Sequence, residues 1–124
     1  KTSYGYTELN KVAGVNISRY ALDNLRHKFL LNLGFSLPLN FYIDLNFRWQ
    51  DRNGSFLAYI DPEDPPVVTD YKPFFLSDFH AGITMQNANI FIDISNIFDI
   101  SYRDISTVLM PGRLIMFGIN FSVR

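Results

Sequence analysis

The chain has 124 residues, with 11 Lys and Arg against 12 Asp and Glu, which suits one domain and includes no basic stripe of the kind that binds nucleic acid. Cysteine is absent, which excludes a disulfide framework, a thiolate zinc site and a cysteine nucleophile. The unusual feature is aromatic content, with 12 Phe and 7 Tyr. No run of 18 or more apolar residues occurs, which excludes a membrane helix. The chain starts with lysine and shows no signal peptide, and we expect it to be a piece of a longer protein.

Alternation of apolar and polar residues predicts six strands. In chain order they occupy 2–9 (the weakest), 26–37, 40–49, 75–85, 89–96 and 115–123. A competing pattern precedes the second strand, since Leu22, Leu25 and Phe29 have helical spacing and Ser18 is a possible N-cap. That pattern favours a short helical turn over 19–25, followed by the strand.

The connections between these strands alternate in length. Segments 36–40 and 86–89 are short, whereas 11–25, 52–73 and 99–112 are long. Strands of about ten residues cross a bilayer when they tilt, and tight turns on one side with long loops on the other are typical of outer-membrane barrels. Because bacterial barrels need at least about 8 strands, six strands predict only an arc of the wall.

The two faces of the predicted strands differ in character. One face is large and apolar, as in Phe41 to Trp49, where Trp49 lies where an interfacial girdle is expected. The other face is small and uncharged over long stretches, with Phe91 as its apolar exception. We predict that the apolar face contacts lipid and that the polar face lines a lumen filled by a plug. The alternative is a soluble β-sandwich, which also alternates.

Few residues are candidates for chemistry. His27 and His80 lie in separate strands, which disfavours a metal site, and no carboxylate has a nucleophile or pocket beside it. We therefore predict no enzyme, no catalytic residue, no metal and no cofactor. Four residues project from the polar face of two neighbouring predicted strands, and we assign them to the wall of the lumen or to a structural role: Asp44, Arg48, Asp78 and His80. Parity further predicts an ion pair between Arg48 and Asp78.

The long connections are the predicted place for ligand binding, because aromatic residues with polar neighbours suit a large organic ligand. The candidate residues there are Tyr59, Asp70, Tyr71, Tyr102, Arg103 and Asp104. The acidic, proline-rich segment 60–66 lacks the spacing of a calcium loop and is better explained as a stiff solvated loop.

Two short motifs near the C-terminal end carry a family resemblance. Asn96-Ile97-Phe98-Asp99 with Tyr102, followed by Pro111-Gly112-Arg113 and a last alternating strand, resembles the C-terminal end of TonB-dependent outer-membrane receptors. Segments 19–29 and 47–54 are similar to the cobalamin-type receptors of Bacteroidetes. The resemblance implies that residues 1–124 are the C-terminal part of the barrel domain, the last six antiparallel transmembrane strands of a 22-stranded barrel.

The function implied by the resemblance is energised uptake of a large scarce nutrient, cobalamin or a related corrinoid, across the outer membrane of a Gram-negative bacterium. The implied partners are the rest of the barrel and its plug, the TonB complex, outer-membrane lipid and a surface-exposed substrate-binding lipoprotein, with no nucleic acid. Alternatives are a ferric-siderophore receptor and a passive porin-like barrel without energy coupling.

Overall fold

The chain forms an all-β structure dominated by one antiparallel sheet. The computed structural model describes residues 1–8, 25–58, 65–104 and 108–122. The strands of those ranges are β1 (Thr2–Tyr6), β2 (Leu25–Leu37), β3 (Phe41–Arg52), β4 (Ser55–Ala58), β5 (Val67–Asp70), β6 (Phe74–Thr84), β7 (Ala88–Ser95) and β8 (Leu114–Phe121). The main sheet has the order β1-β2-β3-β6-β7-β8, and β4 pairs with β5 in a small sheet. The all-β class and the six antiparallel strands are as predicted.

The short connections are confirmed as tight turns. A 3₁₀ turn, Pro38–Asn40, joins β2 to β3. The amide of Met85 donates to the carbonyl of Ala88 over 2.7 Å, which closes the turn between β6 and β7. The helical turn proposed for 19–25 falls mostly outside the described residues, and Leu25 itself begins β2. No helix within the described ranges has the length and apolarity needed to cross a membrane.

Strand register sorts the side chains into two faces that run across all six strands. In an antiparallel pair, directly opposed residues project from the same side of the sheet. The apolar face is defined by residues such as Phe35, Ile43, Ala81, Ile92 and Phe117, which the register aligns in one row. The polar face is defined by the row Gly34, Asp44, His80, Asp93 and Met116.

The apolar face is largely exposed. Its exposed large side chains are Tyr4, Tyr6, Leu33, Phe35, Leu37, Phe41, Phe75, Ile90, Ile115, Phe117, Ile119 and Phe121. Phe117 reaches 79% exposure. Among the described residues, the large buried apolar side chains lie elsewhere: Phe56, Tyr71, Phe74 and Leu76 cluster where β3 ends and β6 begins, and Ala81 is the buried residue of the apolar face. The main sheet therefore presents one continuous apolar surface instead of a core between two layers.

Glycines on the polar face lie beneath aromatic rings of the neighbouring strand. Tyr42 lies over Gly82, directly opposite it, and Phe91 lies over Gly118 in the same way. A Cβ on Gly82 would come within 2.6 Å of Tyr42 Cζ and 2.7 Å of the Ile90 carbonyl oxygen. This packing explains Phe91, the apolar exception of the polar face, because its ring lies flat on the sheet where its partner has no side chain.

Candidate functional site

A cleft of about 390 Å³ lies at the end of the sheet where the long connections meet. Three segments form it: the end of β5 and the link to β6 (residues 69–73), the first residue of β6, Phe74, and residues 100–103 that follow β7. Phe56 of β4 adds to the lining. We call it the aromatic cleft. Its position follows from the β4–β5 hairpin, which folds the long connection back onto the start of β6.

Aromatic rings build the walls of the aromatic cleft. Phe56 and Tyr71 have ring centroids 5.2 Å apart at 47°, and Phe74 and Tyr102 have centroids 4.6 Å apart at 39°. Phe56, Tyr71 and Phe74 are buried. Tilted ring pairs at such distances stabilise one another beyond the area that they bury, so the walls are preformed.

Charged groups surround the rings. The guanidinium carbon of Arg103 lies 5.2 Å from the centroid of the Phe56 ring, a cation–π contact. Asp104, the next residue, is bonded to two side chains of β3: its Oδ1 accepts from Gln50 Nε2 over 3.1 Å and from Arg52 Nη2 over 3.0 Å. The Gln50 side chain comes from the polar face of β3 and is only 3% exposed. Asp104 thus anchors the segment that carries Tyr102 and Arg103.

The residues of the two sequence motifs contact each other beside the cleft, in an arrangement that we call the loop clasp (Asn96–Asp99 with Gly112–Arg113). Asn96 is buried; its Oδ1 accepts from the Ile100 amide and its Nδ2 donates to the Ile100 carbonyl, both over 2.9 Å. Asn96 and Asp99 have positive φ angles of 51° and 54°. Asn and Asp are the side chains that best tolerate this conformation apart from glycine.

The second motif closes the loop clasp. The amide of Arg113 donates to Asp99 Oδ1 over 2.7 Å, and Arg113 Nη1 donates to the Ile97 carbonyl over 3.4 Å. A Cβ on Gly112 would lie 2.6 Å from the same Asp99 oxygen. A side chain at 112 would therefore push the Asp99 carboxylate away from its bond with the Arg113 amide. The clasp gives both motifs a structural role at the ends of β7 and β8.

Replacing Asp99 by alanine should lower the free energy of unfolding by about 1–2 kcal/mol. The change removes the acceptor for the Arg113 amide and puts a less suitable residue at positive φ. Asp99→Asn is the matched control, because it keeps an acceptor oxygen and the tolerance of positive φ, and it should stay within about 0.5 kcal/mol of the parent. Denaturant unfolding followed by far-ultraviolet circular dichroism measures both. Equal stability of the two variants would contradict the clasp.

The structure brings together most of the predicted ligand-binding residues. Asp70, Tyr71, Tyr102 and Arg103 all line the aromatic cleft, whereas Tyr59 lies outside the described residues. Asp104 is engaged with Gln50 and Arg52, as described above. Sequence reasoning missed Phe56, Lys72 and Phe74. The first two lie inside the connection predicted over 52–73 and Phe74 directly precedes a predicted strand, and none of these places gave a signal of a cleft. Ligand binding by this group stays a prediction.

The polar-face residues are placed as their parity predicted, with one correction. Asp44 and His80 are directly opposed on β3 and β6, and His80 Nδ1 contacts Asp93 Oδ1 on β7. The predicted Arg48–Asp78 pair is wrong. Arg48 lies opposite Leu76, and Asp78 Oδ1 instead accepts from the Asn96 amide over 2.9 Å. Within the described ranges, the ion pairs under 4.0 Å are Arg52–Asp104 and His80–Asp93.

No family model, curated protein or solved structure matches this chain.

The lining of the cleft has the composition of a ligand-binding site. Its walls offer aromatic surface, its mouth offers Lys72 and Arg103 as cations, and Asp70 adds one carboxylate. Among the residues with a described position, no group of three His, Cys, Asp or Glu side chains is arranged to hold a metal ion. Preformed apolar walls with a few convergent polar groups are the usual features of a small-molecule site.

Proposed function

We propose that this chain forms the last six strands in the wall of a 22-stranded outer-membrane β-barrel, and that the whole protein is a TonB-dependent transporter of a Gram-negative bacterium. Its cargo is a large scarce nutrient, for which cobalamin or a related corrinoid is the candidate that the sequence resemblance favours. In this proposal the chain supplies wall and external loops, and energy coupling belongs to parts of the protein outside it.

The observation that carries the proposal is the exposed apolar face. Soluble monomers seldom expose a contiguous apolar patch larger than a few hundred Å², yet here exposed Leu, Ile and Phe side chains extend from β2 to β8 on one side of the sheet. Outer-membrane barrels present such a band to lipid and alternate it with a polar interior. The apolar face would be costly in water and is favourable in a bilayer.

The height of the band supports the same conclusion. On β3 the apolar face runs from Phe41 to Trp49, a distance of about 27 Å at the usual rise per residue. A tilt of roughly 40° reduces this rise to about 21 Å, so Phe41 to Trp49 cover most of the ~25 Å apolar band of outer-membrane barrels. The strand length therefore fits a lipid bilayer.

Amphipathic aromatic residues gather at one end of the apolar face. His27 lies between Tyr6, at a centroid distance of 5.0 Å, and Trp49, at 6.1 Å. Tyr4 Oη is 2.8 Å from His27 Nδ1. Rings with one polar atom are enriched where membrane meets water. This cluster supports an interfacial girdle on the side of the long connections.

The polar face supports a lumen. Within the part of the chain that the structure describes, its polar side chains bond to each other along the wall in cross-strand contacts that include Asn32–Asn46, Tyr42–Asn89, Thr84–Asn89 and His80–Asp93. Gly82 and Gly118 let the rings of Tyr42 and Phe91 lie close to the backbone of the sheet, so these rings project little from the polar face. A smooth, mostly uncharged inner wall suits packing against a plug, and the proposed partners are that plug, the remaining strands, outer-membrane lipid, the TonB complex and a surface lipoprotein that delivers substrate.

Transport by the intact protein is the decisive experiment. The protein is expressed in a Gram-negative host that lacks its own cobalamin receptor, outer membranes are isolated, and uptake of labelled cobalamin is followed with and without an intact TonB gene. We expect the protein in the outer membrane and uptake that requires TonB. A labelled ferric siderophore is the control cargo.

The possible results separate the alternatives. Uptake of the siderophore in place of cobalamin would overturn the cargo and keep the transporter. Uptake independent of TonB would favour a passive barrel. A protein found outside the membrane fraction, stable and monodisperse without detergent, would overturn the barrel and favour a soluble β-sandwich.

A further inference from the structure

The aromatic cleft combines two features that together define a ligand chemistry. Its walls are ring faces and edges from Phe56, Tyr71, Phe74 and Tyr102. Flat rings bind such walls by offset stacking or edge-to-face contact. A volume of about 390 Å³ lies at the lower end of the range for small-molecule sites, so the cleft holds one ring system or one group of a larger ligand.

The cations at the mouth are available to a ligand. Within the described part of the chain, neither Lys72 nor Arg103 lies within 4.0 Å of a carboxylate oxygen. Asp104, the nearest acid in sequence to Arg103, is already bonded to Gln50 and Arg52. Among the described residues of the lining, Asp70 supplies the one carboxylate, so Lys72 and Arg103 give this described lining a positive formal charge.

Arg103 is also held in position for recognition. Its guanidinium lies over the Phe56 ring, and the adjacent Asp104 fixes the backbone through Gln50 and Arg52. A guanidinium stacked on a ring keeps its in-plane N–H donors free, and their geometry matches the paired oxygens of a carboxylate or phosphate. Lys72, an exposed residue of the segment that follows β5, supplies a second, movable cation.

We propose that the aromatic cleft binds a flat aromatic ring that carries an oxyanion, with the ring against Phe74 and Tyr102 and the carboxylate or phosphate at Arg103 and Lys72. The inference rests on the proposed function only in making this cleft part of the outward-facing ligand entrance. Its contacts do not depend on the identity of the transported nutrient.

The test uses four probes with one ring and different charges: 2-naphthoate, 2-naphthyl phosphate, 2-naphthalenemethanol and 2-(aminomethyl)naphthalene. Binding to the intact protein in detergent is measured by titration calorimetry, with protein-free micelles as the blank. We expect at least one of the two anions to bind about tenfold or more tighter than the alcohol, with the amine weakest. Comparison of naphthoate with naphthyl phosphate identifies the preferred oxyanion.

Variants assign the binding to the cleft. Arg103→Gln and Lys72→Gln should each weaken the preferred anion about tenfold and leave the alcohol unchanged. Arg26→Gln removes a positive charge from an exposed residue of β2, away from the cleft lining, and should have no effect. Ser101→Trp fills the exposed rim of the cleft and should abolish binding of every probe. Far-ultraviolet circular dichroism checks that each variant keeps its sheet.

Equal affinity for the anions and the alcohol would overturn the inference, as would an Arg103→Gln variant indistinguishable from Arg26→Gln. Failure here is separable from failure of the transporter. A protein that takes up cobalamin and ignores the naphthalene anions overturns only the cleft chemistry. A protein that binds them through Arg103 and lies outside the outer membrane overturns only the transport proposal.

Discussion

Replacing Phe117 by arginine should lower the free energy of unfolding from lipid vesicles by about 2–4 kcal/mol, the cost of a cation on the lipid face near the bilayer midplane. Phe117 lies in the middle of β8 on the apolar face and is 79% exposed. In water such an exposed position would accept arginine with a change of about 0.5 kcal/mol or less. The size of the loss in stability therefore shows whether this face contacts lipid or water.

Met116→Arg is the matched control for that experiment. Met116 is the neighbouring residue, lies at the same depth on the polar face and is directly opposite Asp93. A cation there faces a carboxylate across the strands, so the variant should stay within about 1 kcal/mol of the parent. Unfolding is followed by the loss of the β-sheet signal in far-ultraviolet circular dichroism. If both variants lose the same stability, the lipid assignment of the apolar face is wrong.

Replacing Gly82 by alanine should destabilise the sheet by about 1–3 kcal/mol, the usual cost of overpacking. The added Cβ meets the Tyr42 ring and, at 2.7 Å, the Ile90 carbonyl oxygen. The ring can tilt away at the expense of its hydrogen bond with Asn89, but the carbonyl belongs to the β7 backbone and can move only with its strand.

Gly5→Ala provides the opposite case in the same sheet. A Cβ at Gly5 would meet nothing within 4 Å, so the substitution should be neutral or stabilise by up to about 1 kcal/mol, because alanine restricts the unfolded chain. Both variants are compared by denaturant midpoint under identical conditions. Similar midpoints would show that the close packing of Tyr42 on Gly82 does not constrain the sheet.

Alternation in the sequence was enough to predict the six strands of the main sheet and their two faces, whereas β4 and β5 lie inside the connection predicted over 52–73. The period of side-chain direction in a strand is 2, so Phe41 to Trp49 could be assigned to one face without any knowledge of the neighbours. Short connections were equally readable, since Pro38 to Asn40 leave room for a turn and nothing else. Both features depend only on residues that are close in sequence, and the structure agrees with both predictions.

Features that depend on long-range register could not be predicted in this way. Arg48 and Asp78 do lie on the polar face, yet β3 and β6 are joined by a long connection that does not fix their offset. The structure puts Asn46 opposite Asp78 and Arg48 opposite Leu76. Parity fixes the face of a residue, whereas its partner depends on the pairing of whole strands.

The candidate site was only partly accessible from the sequence for a related reason. Asp70, Tyr71, Tyr102 and Arg103 were recognisable as aromatic and polar residues in long connections, but their meeting depends on the β4–β5 hairpin. The anchoring of Asp104 by Gln50 and Arg52 depends on strand ends that are distant in sequence. The residue types indicated ligand binding, but only the tertiary structure shows which of these residues line the same cleft.

The loop clasp has a consequence for assembly of the sheet. β7 and β8 are joined by a long connection, so no tight hairpin fixes their register. A slip of one residue would exchange the apolar and polar side chains along the whole of β8. The bond from the Arg113 amide to Asp99 lies next to the Ser95–Leu114 pair, where that alignment begins. We therefore expect the loop clasp to fix the register of β7 and β8, and loosening it should yield misaligned final strands even where the aromatic cleft is untouched.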